Sequence, residues 1–356
     1  MLRANAIGDF VLTLPALEAV RNAYPHAHLA LLGTSWHASF LAGRPGPVDE
    51  TICLPAIPGV TAPANAPRCD PAVARFLHDM RGRRFDLALQ LHGGGAYSNP
   101  LVLALGARVT AGFRAPDAAP LDRNFPYIQS SVDLHPRIHL LLECAGLVGA
   151  RAVRAEPRIS LTEADERELQ ARLPDIGGRL AVLQPGARDP RRCWSAARFA
   201  QVGDALAASG MRILIHGGPG EQDLARQVRQ TMRRPAMEIA GLLSPGGLCA
   251  LLARSQILVS NDTGPAHLAR ALGVPTVTIY WVGNVPAYGP PSVLRHRIAV
   301  SYRIHCPVCG EHCMEHDCGH TASFVDDVSA DEVITLALSL CAAGPAPSRA
   351  RPLPVP

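Results

Sequence analysis

Short apolar runs recur through the second half of the chain, each followed by a polar turn. They lie at residues 180–183, 212–215, 237–239, 257–259 and 274–279. Between them, apolar residues at helical spacing predict helices at about 196–208, 222–232 and 248–254. Short buried runs that alternate with helices are typical of a parallel sheet covered by helices on both faces.

The first half shows the same alternation less regularly. Strands are predicted at residues 28–32, 50–54, 85–91 and 109–113, and helices at 140–147 and 162–173. The run from 114 to about 137 is predicted to be irregular, and the proline-rich run 45–71 to be mainly a surface loop. Two such units in one chain predict two similar domains that face a cleft.

The N-terminus predicts a helix whose apolar residues recur at three-residue spacing, namely Val11, Leu14, Leu17 and Val20. Pro15 lies inside this pattern and predicts either a bend or a late helix start. Gly8 permits a tight turn ahead of the helix, and Asp9 stands at its entrance. Only a few residues remain for a strand before this turn, and one explanation is that the natural chain begins earlier.

The predicted domain boundary lies where Asp175-Ile-Gly-Gly ends the last helix of the first half. We therefore predict an N-terminal domain at 1–174 and a C-terminal domain at 175–342. Residues 343–356 are rich in Pro, Ala and Arg and predict a disordered tail.

The composition is that of a globular protein, with 48% hydrophobic and 18% charged residues among 356. The chain has no lysine, so all 34 basic side chains are arginine. Enzymes that form a Schiff base through lysine, pyridoxal enzymes included, are therefore excluded. The net charge of +4 is mild and no long basic block occurs, which argues against a nucleic-acid partner.

No apolar run approaches the length of a membrane span, and Asp9 interrupts the apolar core that a signal peptide needs. We therefore expect a soluble, cytoplasmic protein. The basic charge also allows peripheral contact with an anionic membrane surface or a phosphorylated glycolipid.

A polar turn follows the apolar run at 257–259. Asp262 is predicted to cap the next helix, and Pro265 suits its first turn, where a missing N–H loses no bond. The helix would then leave three backbone amides free at its positive end, those of Thr263, Gly264 and Ala266. The turn predicts a phosphate-binding cradle, and an ordinary capped turn between strand and helix is the alternative.

Four cysteines cluster in the segment 305–320, which also holds four histidines. The cysteines are Cys306, Cys309, Cys313 and Cys318. In a reducing compartment such ligands predict a tetrahedral structural site for zinc or a rubredoxin-like iron. Their spacing is tighter than in common zinc ribbons, so paired disulfides or free thiols remain the alternative. The other six cysteines are scattered singly and are expected to be reduced thiols.

Several motifs follow one another in a distinctive order. They are Ala-Ile-Gly-Asp at 6–9 with Leu-Thr-Leu-Pro-Ala-Leu at 12–17, Gln-Pro-Gly at 184–186, Trp194, and Ser-Asn-Asp-Thr-Gly-Pro-Ala-His at 260–267. Together they resemble glycosyltransferase family 9, the ADP-heptose:lipopolysaccharide heptosyltransferases, over most of the chain. The resemblance implies an α/β protein of GT-B architecture, with two Rossmann-like domains whose parallel sheets face a central cleft. It also implies inverting transfer without a catalytic metal.

The resemblance assigns the proton transfer to the N-terminal side of this cleft. An inverting transfer needs one base for the acceptor hydroxyl while the diphosphate leaves from the opposite face. Asp9 matches the family's catalytic base, and a simple helix N-cap is its alternative role.

The resemblance assigns donor binding to the C-terminal side. Arg192 falls where the family has a phosphate-contacting lysine, with Arg191 as the adjacent candidate, and an arginine would bring a planar fork in place of a point charge. Glu221 matches the acceptor of the ribose hydroxyls, with a plain helix N-terminal acid as its alternative.

Two further segments complete the predicted donor site. Leu243 and Ser244 belong to a segment that resembles the family's adenine contact, made through backbone. His267 lies one helical turn beyond the cradle, and ligand contact and helix packing are equally good readings of it. With Asp262, Thr263, Gly264 and Pro265 these residues form the predicted donor-binding set.

The function implied is transfer of a heptose from ADP-heptose to a lipopolysaccharide inner-core or other lipid-linked acceptor. No cofactor is expected in catalysis, and zinc or iron at the cysteine cluster would be structural. The alternatives are a transferase with another nucleotide sugar or acceptor, and a non-catalytic GT-B-like binding protein.

Overall fold

The computed structural model describes residues 1–67, 70–127 and 134–342. The predicted disordered tail at 343–356 therefore lies outside the described residues, as does Cys69. The nine cysteines within the described part of the chain are all free.

The first half holds five strands and six helices among its described residues. The strands are β1 (Ala30–Gly33), β2 (Glu50–Cys53), β3 (Leu87–Gln90), β4 (Val109–Arg114) and β5 (Arg123–Pro126). The helices are α1 (Ile7–Ala23), α2 (Ser35–Leu41), α3 (Pro71–Gly82), α4 (Ser98–Ala104), α5 (Arg137–Gly146) and α6 (Glu163–Arg172).

The second half holds six strands and six helices among its described residues. The strands are β6 (Leu180–Gln184), β7 (Arg212–Ile215), β8 (Ala236–Glu238), β9 (Ile257–Asn261), β10 (Thr276–Trp281) and β11 (His296–Ser301). The helices are α7 (Ala196–Ala208), α8 (Gln222–Thr231), α9 (Pro245–Arg254), α10 (Gly264–Ala271), α11 (Val285–Tyr288) and α12 (Ala330–Ala342). A 3-10 turn, Pro190–Arg192, follows β6.

The second sheet is a six-stranded parallel sheet in the order β11-β10-β9-β6-β7-β8. Its central strands β6 and β9 are buried along their whole length, because helices cover both faces. The chain order reverses between β6 and β9, so the carboxyl ends of these strands open onto a crevice.

The first sheet is completed by the first residues of the chain. Leu2 forms parallel bridges to Leu32 of β1 and to Gln90 of β3. Its amide donates to Leu89 O at 2.9 Å, and Leu91 N donates back to Leu2 O at 3.1 Å. The parallel pair β1-β2 and the parallel strands β3-β4-β5 thereby lie on either side of Leu2, so the few residues ahead of α1 form bridges at the place of a first strand.

The alternation of strands and helices confirms the predicted parallel α/β architecture, but several local predictions are wrong. The run from 114 to 137 contains strand β5 and the start of α5. Helix α1 begins at Ile7 and continues through Pro15, so the late start is wrong. Ala6 occupies the N-cap position, so Asp9 lies in the first turn and is not the N-cap.

Two helix contacts join the halves. Helix α1 packs on α10, and α6 packs on α9. One apolar cluster extends through both, with Phe10 and Leu17 from α1 and Leu251 and Leu268 from the second half. The cleft is therefore formed by halves that share buried apolar surface.

A buried ion pair ties α6 to the end of α2. Arg44 NH1 and NH2 donate to the two oxygens of Asp165 at 2.8 and 2.9 Å. The two side chains are only 4% and 6% exposed. Asp165 also accepts from the amide of Thr162 at 2.9 Å, in the capping box that starts α6.

Replacing Arg44 by Met should lower the free energy of unfolding by about 3–5 kcal/mol, because Asp165 would stay buried without its cation. Urea unfolding followed by circular dichroism measures this. Arg108→Met is the control, since its pair with Asp86 is 81% and 83% exposed, and it should cost at most about 1 kcal/mol. Equal losses in the two variants would contradict the role of the buried pair.

Candidate active site

A cleft of about 600 Å³ lies between the two halves. It is lined from the first half by residues 6–9 and Leu12, and from the second by residues at the carboxyl ends of β6, β7 and β9. All ten residues predicted from sequence for proton transfer and donor binding line it, namely Asp9, Arg192, Glu221, Leu243, Ser244, Asp262, Thr263, Gly264, Pro265 and His267. Their roles remain predictions.

A second cavity, of about 710 Å³, lies at the amino ends of the first sheet. It is lined mainly by apolar residues such as Leu29, Leu87 and Val109, with arginines at its rim. Parallel α/β sheets bind their ligands at the carboxyl ends of the strands. We therefore place the candidate active site in the cleft between the halves.

The start of α10 differs from the sequence prediction in two ways. Thr263 occupies the N-cap position, so the predicted capping by Asp262 is wrong. The amide of Ala266 donates to Thr263 O at 3.1 Å, so it does not belong to a free cradle. Pro265 lies in the first turn as predicted. Thr263 and Gly264 remain as the cradle residues that line the cleft.

Asp262 is instead a buried member of a polar network. Its Oδ2 accepts from Asn284 Nδ2 at 2.9 Å and from Arg192 NH1 at 3.4 Å. Burial raises the pKa of the carboxyl, while the charge of Arg192 and the Asn284 hydrogen bond oppose the rise. Asn284 was missed from sequence, because nothing in its local pattern marks it as a partner of a residue 22 positions away.

The two arginine candidates face different ways. Arg192 lines the cleft beside Asp262. Arg191 forms a pair with Asp189 at 2.8 Å and reaches Asp317 of the cysteine-rich segment at 3.0 Å. Arg191 therefore attaches that segment to the end of β6, whereas Arg192 and Arg188 both line the cleft.

Glu221 is held by one of its oxygens. Oε2 accepts from the amide of Gly218 at 2.6 Å and from Gln184 Nε2 at 3.2 Å. The other oxygen lies directly over Gly186, where an added Cβ would stand 2.1 Å from Oε1. The carboxylate does not cap α8, which begins at the next residue. Glu221 nevertheless occupies the N-cap position of α8, so its place at a helix N-terminus is confirmed, and its carboxylate lines the cleft as well.

A buried histidine orients Gln184. His216 Nδ1 donates to Gln184 Oε1 at 2.5 Å, because the amide of Gln184 is already directed at Glu221. Burial lowers the pKa of His216 to about 4, so the ring is neutral at pH 7. The sequence pattern gives no signal for this pairing. The two residues meet because β6 and β7 are neighbours in the sheet, and the local pattern does not show the order of the strands.

Asp9 is held by a buried arginine near the start of the chain. Arg3 NH2 donates to Asp9 Oδ1 at 3.3 Å and to Asp9 O at 3.0 Å. Arg3 NH1 donates to Leu91 O at 2.5 Å, and the arginine is buried. The Asp9 side chain is 32% exposed, so it can meet a ligand in the cleft. Arg3 was not predicted as a site residue.

The segment around Ser244 makes several internal bonds. Ser244 N donates to Glu168 Oε1 at 2.6 Å, and its hydroxyl accepts from the amides of Gly246 and Gly247 at 3.2 Å. Ser244 thereby caps α9 and attaches it to α6. Leu243 lines the cleft beside it.

The cysteine-rich segment gathers ligands of the right kind for a metal. One sulfur each from Cys306, Cys309 and Cys318 and one nitrogen of His320 all lie within 4.8 Å of one another. Cys313, predicted as the fourth ligand, has its sulfur 3.9 Å from that of Cys318. Three thiols and one imidazole at such separations fit a tetrahedral zinc or iron site.

The electrostatics of Cys306 also fit a metal ligand. Burial opposes ionisation of this thiol, but hydrogen bonds from the amides of Cys309 and Val308 and from neighbouring thiols lower its pKa to about 6. A thiolate is the form that coordinates a metal. The segment lies outside the cleft lining, so it supplies no reacting group there.

Replacing Asp262 by Asn should raise the melting temperature at pH 7, and the gain should shrink toward pH 4. Burial raises the pKa of Asp262, so the folded chain holds this proton more readily than the unfolded chain does. The carboxylate therefore destabilises the fold as pH rises above the ordinary aspartate pKa of about 4. Thermal unfolding at the two pH values measures the difference, with the exposed Asp86→Asn as control. A gain of equal size at both values would contradict this account.

Comparisons with protein families and with known proteins point to the same family. A family model described as glycosyltransferase family 9 (heptosyltransferase) matches residues 73–315. Lipopolysaccharide heptosyltransferase 3 from Escherichia coli is 26% identical over 292 residues, which cover 77% of this chain and 80% of that protein.

Solved structures confirm the fold. The E. coli heptosyltransferase WaaC with ADP aligns with a TM-score of 0.68 at 18% identity, over 95% of this chain and 98% of that one. The iron-containing dodecameric glycosyltransferase TibC from enterotoxigenic E. coli H10407 gives 0.54 at 12% identity, over 96% and 75%. The predicted GT-B architecture is confirmed. Because the family model spans more than half of the chain, the chain belongs to glycosyltransferase family 9, the heptosyltransferase family, and is a glycosyltransferase.

Proposed function

We propose that this enzyme transfers a heptose from ADP-heptose to the inner core of lipopolysaccharide, with inversion at the anomeric carbon and without a catalytic metal. The observation that carries the proposal is the meeting of two helix N-termini in one cleft. Asp9 lies in the first turn of α1, and Gly264 begins α10. An added Cβ on Gly8 would stand 3.3 Å from Gly264 Cα, so the two turns touch.

The second-half wall supplies a site for a nucleoside diphosphate. Thr263 and Gly264 lie at the positive end of α10, which favours an anion, and Arg192 stands beside them. In the proposal these groups hold the diphosphate and neutralise the charge that develops as ADP leaves. Where the family has a lysine with a point charge, Arg192 offers a planar guanidinium with two donor edges.

Nucleoside recognition is proposed for the neighbouring part of the wall. Glu221 Oε1 would accept a hydrogen bond from a ribose hydroxyl, since Oε2 is taken by Gly218 and Gln184. Leu243 and Ser244 would contact the adenine. The solved relative WaaC carries ADP, which supports this class of donor.

The first-half wall supplies the base. In the proposed step an acceptor hydroxyl oxygen attacks the anomeric carbon, and the bond from that carbon to the phosphate oxygen breaks. The hydroxyl proton passes to Asp9, and the bonding pair leaves with ADP. Arg3 occupies Oδ1 of Asp9 in this arrangement, so the proton would go to Oδ2. We propose that residues 1–174 form the acceptor side and 175–342 the donor side.

The acceptor proposed here is lipid-linked, as the name of the E. coli relative indicates for that protein. No helix among the described residues is long and apolar enough to cross a membrane. Because the proposed acceptor is lipid-linked, we propose that the enzyme meets it by peripheral contact with a membrane surface.

Replacing Asp9 by Asn should abolish transfer while ADP-heptose binding survives, because the amide keeps the shape but cannot take the proton. Release of ADP with donor and acceptor present measures transfer, and isothermal titration measures donor binding. Asp86→Asn, on the exposed surface, should keep full activity. Full activity in Asp9→Asn would reject the base assignment.

The same assays separate the alternatives. A thermal-shift screen against nucleotide diphosphate sugars identifies the donor, since a ligand that binds the folded state raises its apparent stability. A shift with a different sugar nucleotide would reassign the donor. Binding without ADP release with any acceptor would favour a non-catalytic binding protein.

We propose further that the cysteine-rich segment binds one structural zinc or iron through Cys306, Cys309, Cys318 and His320, with Cys313 as the fifth candidate. The donor set supports this, as does the iron-containing description of TibC. Such a metal would fix the segment that Arg191 attaches to the end of β6.

Elemental analysis of protein purified without a histidine tag should find about one zinc or iron per chain. Cys306→Ser should lose most of it, and Cys53→Ser should retain it, since Cys53 is exposed and lies on β2. Metal-free wild-type protein with titratable thiols would reject the site.

A further inference from the structure

Arg270 lies directly behind His267 on α10. Its NH2 group donates to Nδ1 of the imidazole one turn earlier. The same guanidinium donates to the Tyr280 hydroxyl at 3.1 Å and to Tyr288 O at 3.3 Å. Three partners from three elements hold the fork, so its position behind the ring is fixed by the fold.

This contact decides which ring nitrogen carries the proton. A guanidinium has only donors and keeps its charge, so Nδ1 of His267 must present its lone pair. Burial, followed by the charges of Arg270 and Arg192, lowers the pKa of His267 well below its usual value. The ring is therefore neutral, and its single proton lies on Nε2.

The protonated edge of the ring faces the cleft. His267 lines the cleft, and an added Cβ on Gly8 would stand 3.0 Å from its Cδ2. Nε2 lies 3.9 Å from Asp262 Oδ1, which exceeds hydrogen-bond distance. The proton on Nε2 thus points into the space where α1 meets α10.

We propose that Arg270 is a positioning residue that fixes His267 as a neutral Nε2–H donor toward an oxygen of the bound donor substrate. This inference rests on the proposed function for the identity of that oxygen, a phosphate oxygen or a sugar hydroxyl. It assigns to His267 a ligand contact in place of simple helix packing.

Several charged and polar groups face this ring from the surrounding elements. They are Arg270 on α10, Arg192 in the 3-10 turn, Asp262 after β9 and Tyr288 on α11. The two arginines disfavour an imidazolium, and Asp262 would favour one. Removing Arg270 takes away a cation and the fixed partner of Nδ1 together, so the ring gains both a second tautomer and a higher pKa.

Nitrogen-15 NMR of the histidine rings tests this directly on the full chain. Wild-type His267 should show the Nε2–H tautomer from pH 8 to pH 6, with the resonance assigned by its loss in His267→Gln. Arg270→Lys retains a donor and should keep that tautomer. Arg270→Met should give a mixture of tautomers and protonation as pH falls. An Nδ1–H ring in the wild type, or an unchanged ring in Arg270→Met, would overturn the proposal.

A transfer assay with the nucleotide sugar gives the second readout. Arg270→Met should lose about tenfold in kcat/KM for the donor, the size of one hydrogen bond, and the loss should deepen toward pH 6. In a His267→Gln background the same change should cost nothing further, because the ring it positions is gone. Arg226→Met, which removes an exposed arginine on α8, is the control for charge.

The NMR measurement and the transfer assay test different claims, so one can fail while the other succeeds. A wild-type chain that transfers from no nucleotide sugar refutes the proposed function, and the NMR result still decides the tautomer. An additive loss in the double variant, with circular dichroism unchanged, would reduce Arg270 to a packing role and reject the proposal.

Discussion

The cleft depends on the close approach of two helix N-termini, with a glycine on each side of the contact. An added Cβ on Gly264 would stand 2.5 Å from Ile7 Cγ2, and one on Gly8 would stand 3.0 Å from His267 Cδ2. The positive ends of α1 and α10 therefore share one space. Arg188 and Arg192 add two cations to its lining, and the buried Arg3 contacts Asp9. Such a concentration of positive charge is suited to an anionic ligand, and nearby carboxylates balance part of it.

Three carboxylates in the cleft lining are held by hydrogen bonds in the same way. Among the described residues, hydrogen bonds reach Asp9 only at Oδ1, Glu221 only at Oε2 and Asp262 only at Oδ2. Each carboxylate is thereby fixed in direction by one oxygen. Asp9 Oδ2 and Glu221 Oε1 can therefore accept from a ligand without loss of the bonds that orient these side chains.

The sequence was sufficient for the architecture, which rests on local signals, and for the membership of the cleft, which rests mainly on the resemblance of its ordered motifs to a known family. Buried runs such as 257–259 mark parallel strands, and polar residues directly after them mark the carboxyl edge. The supporting residues could not be found this way. Gln184 and His216 meet because β6 and β7 are neighbours in the sheet, and Asn284 reaches Asp262 across 22 residues. The capping error at Asp262 has the same origin, since its carboxylate is drawn to Asn284 and Arg192 and not to the helix that follows.

The exclusive use of arginine gives these networks their common geometry. Arg3 spans Leu91 and Asp9, Arg44 spans Ser160 and Asp165, and Arg270 spans His267 and Tyr288. A lysine ammonium in any of these places would supply donors from a single point, whereas the fork reaches two partners at fixed angles. A guanidinium also does not lose its proton when buried, so the partner must adapt. A histidine adapts by turning its lone pair to the fork and its proton away. In this chain that choice directs the Nε2 proton of His267 into the cleft.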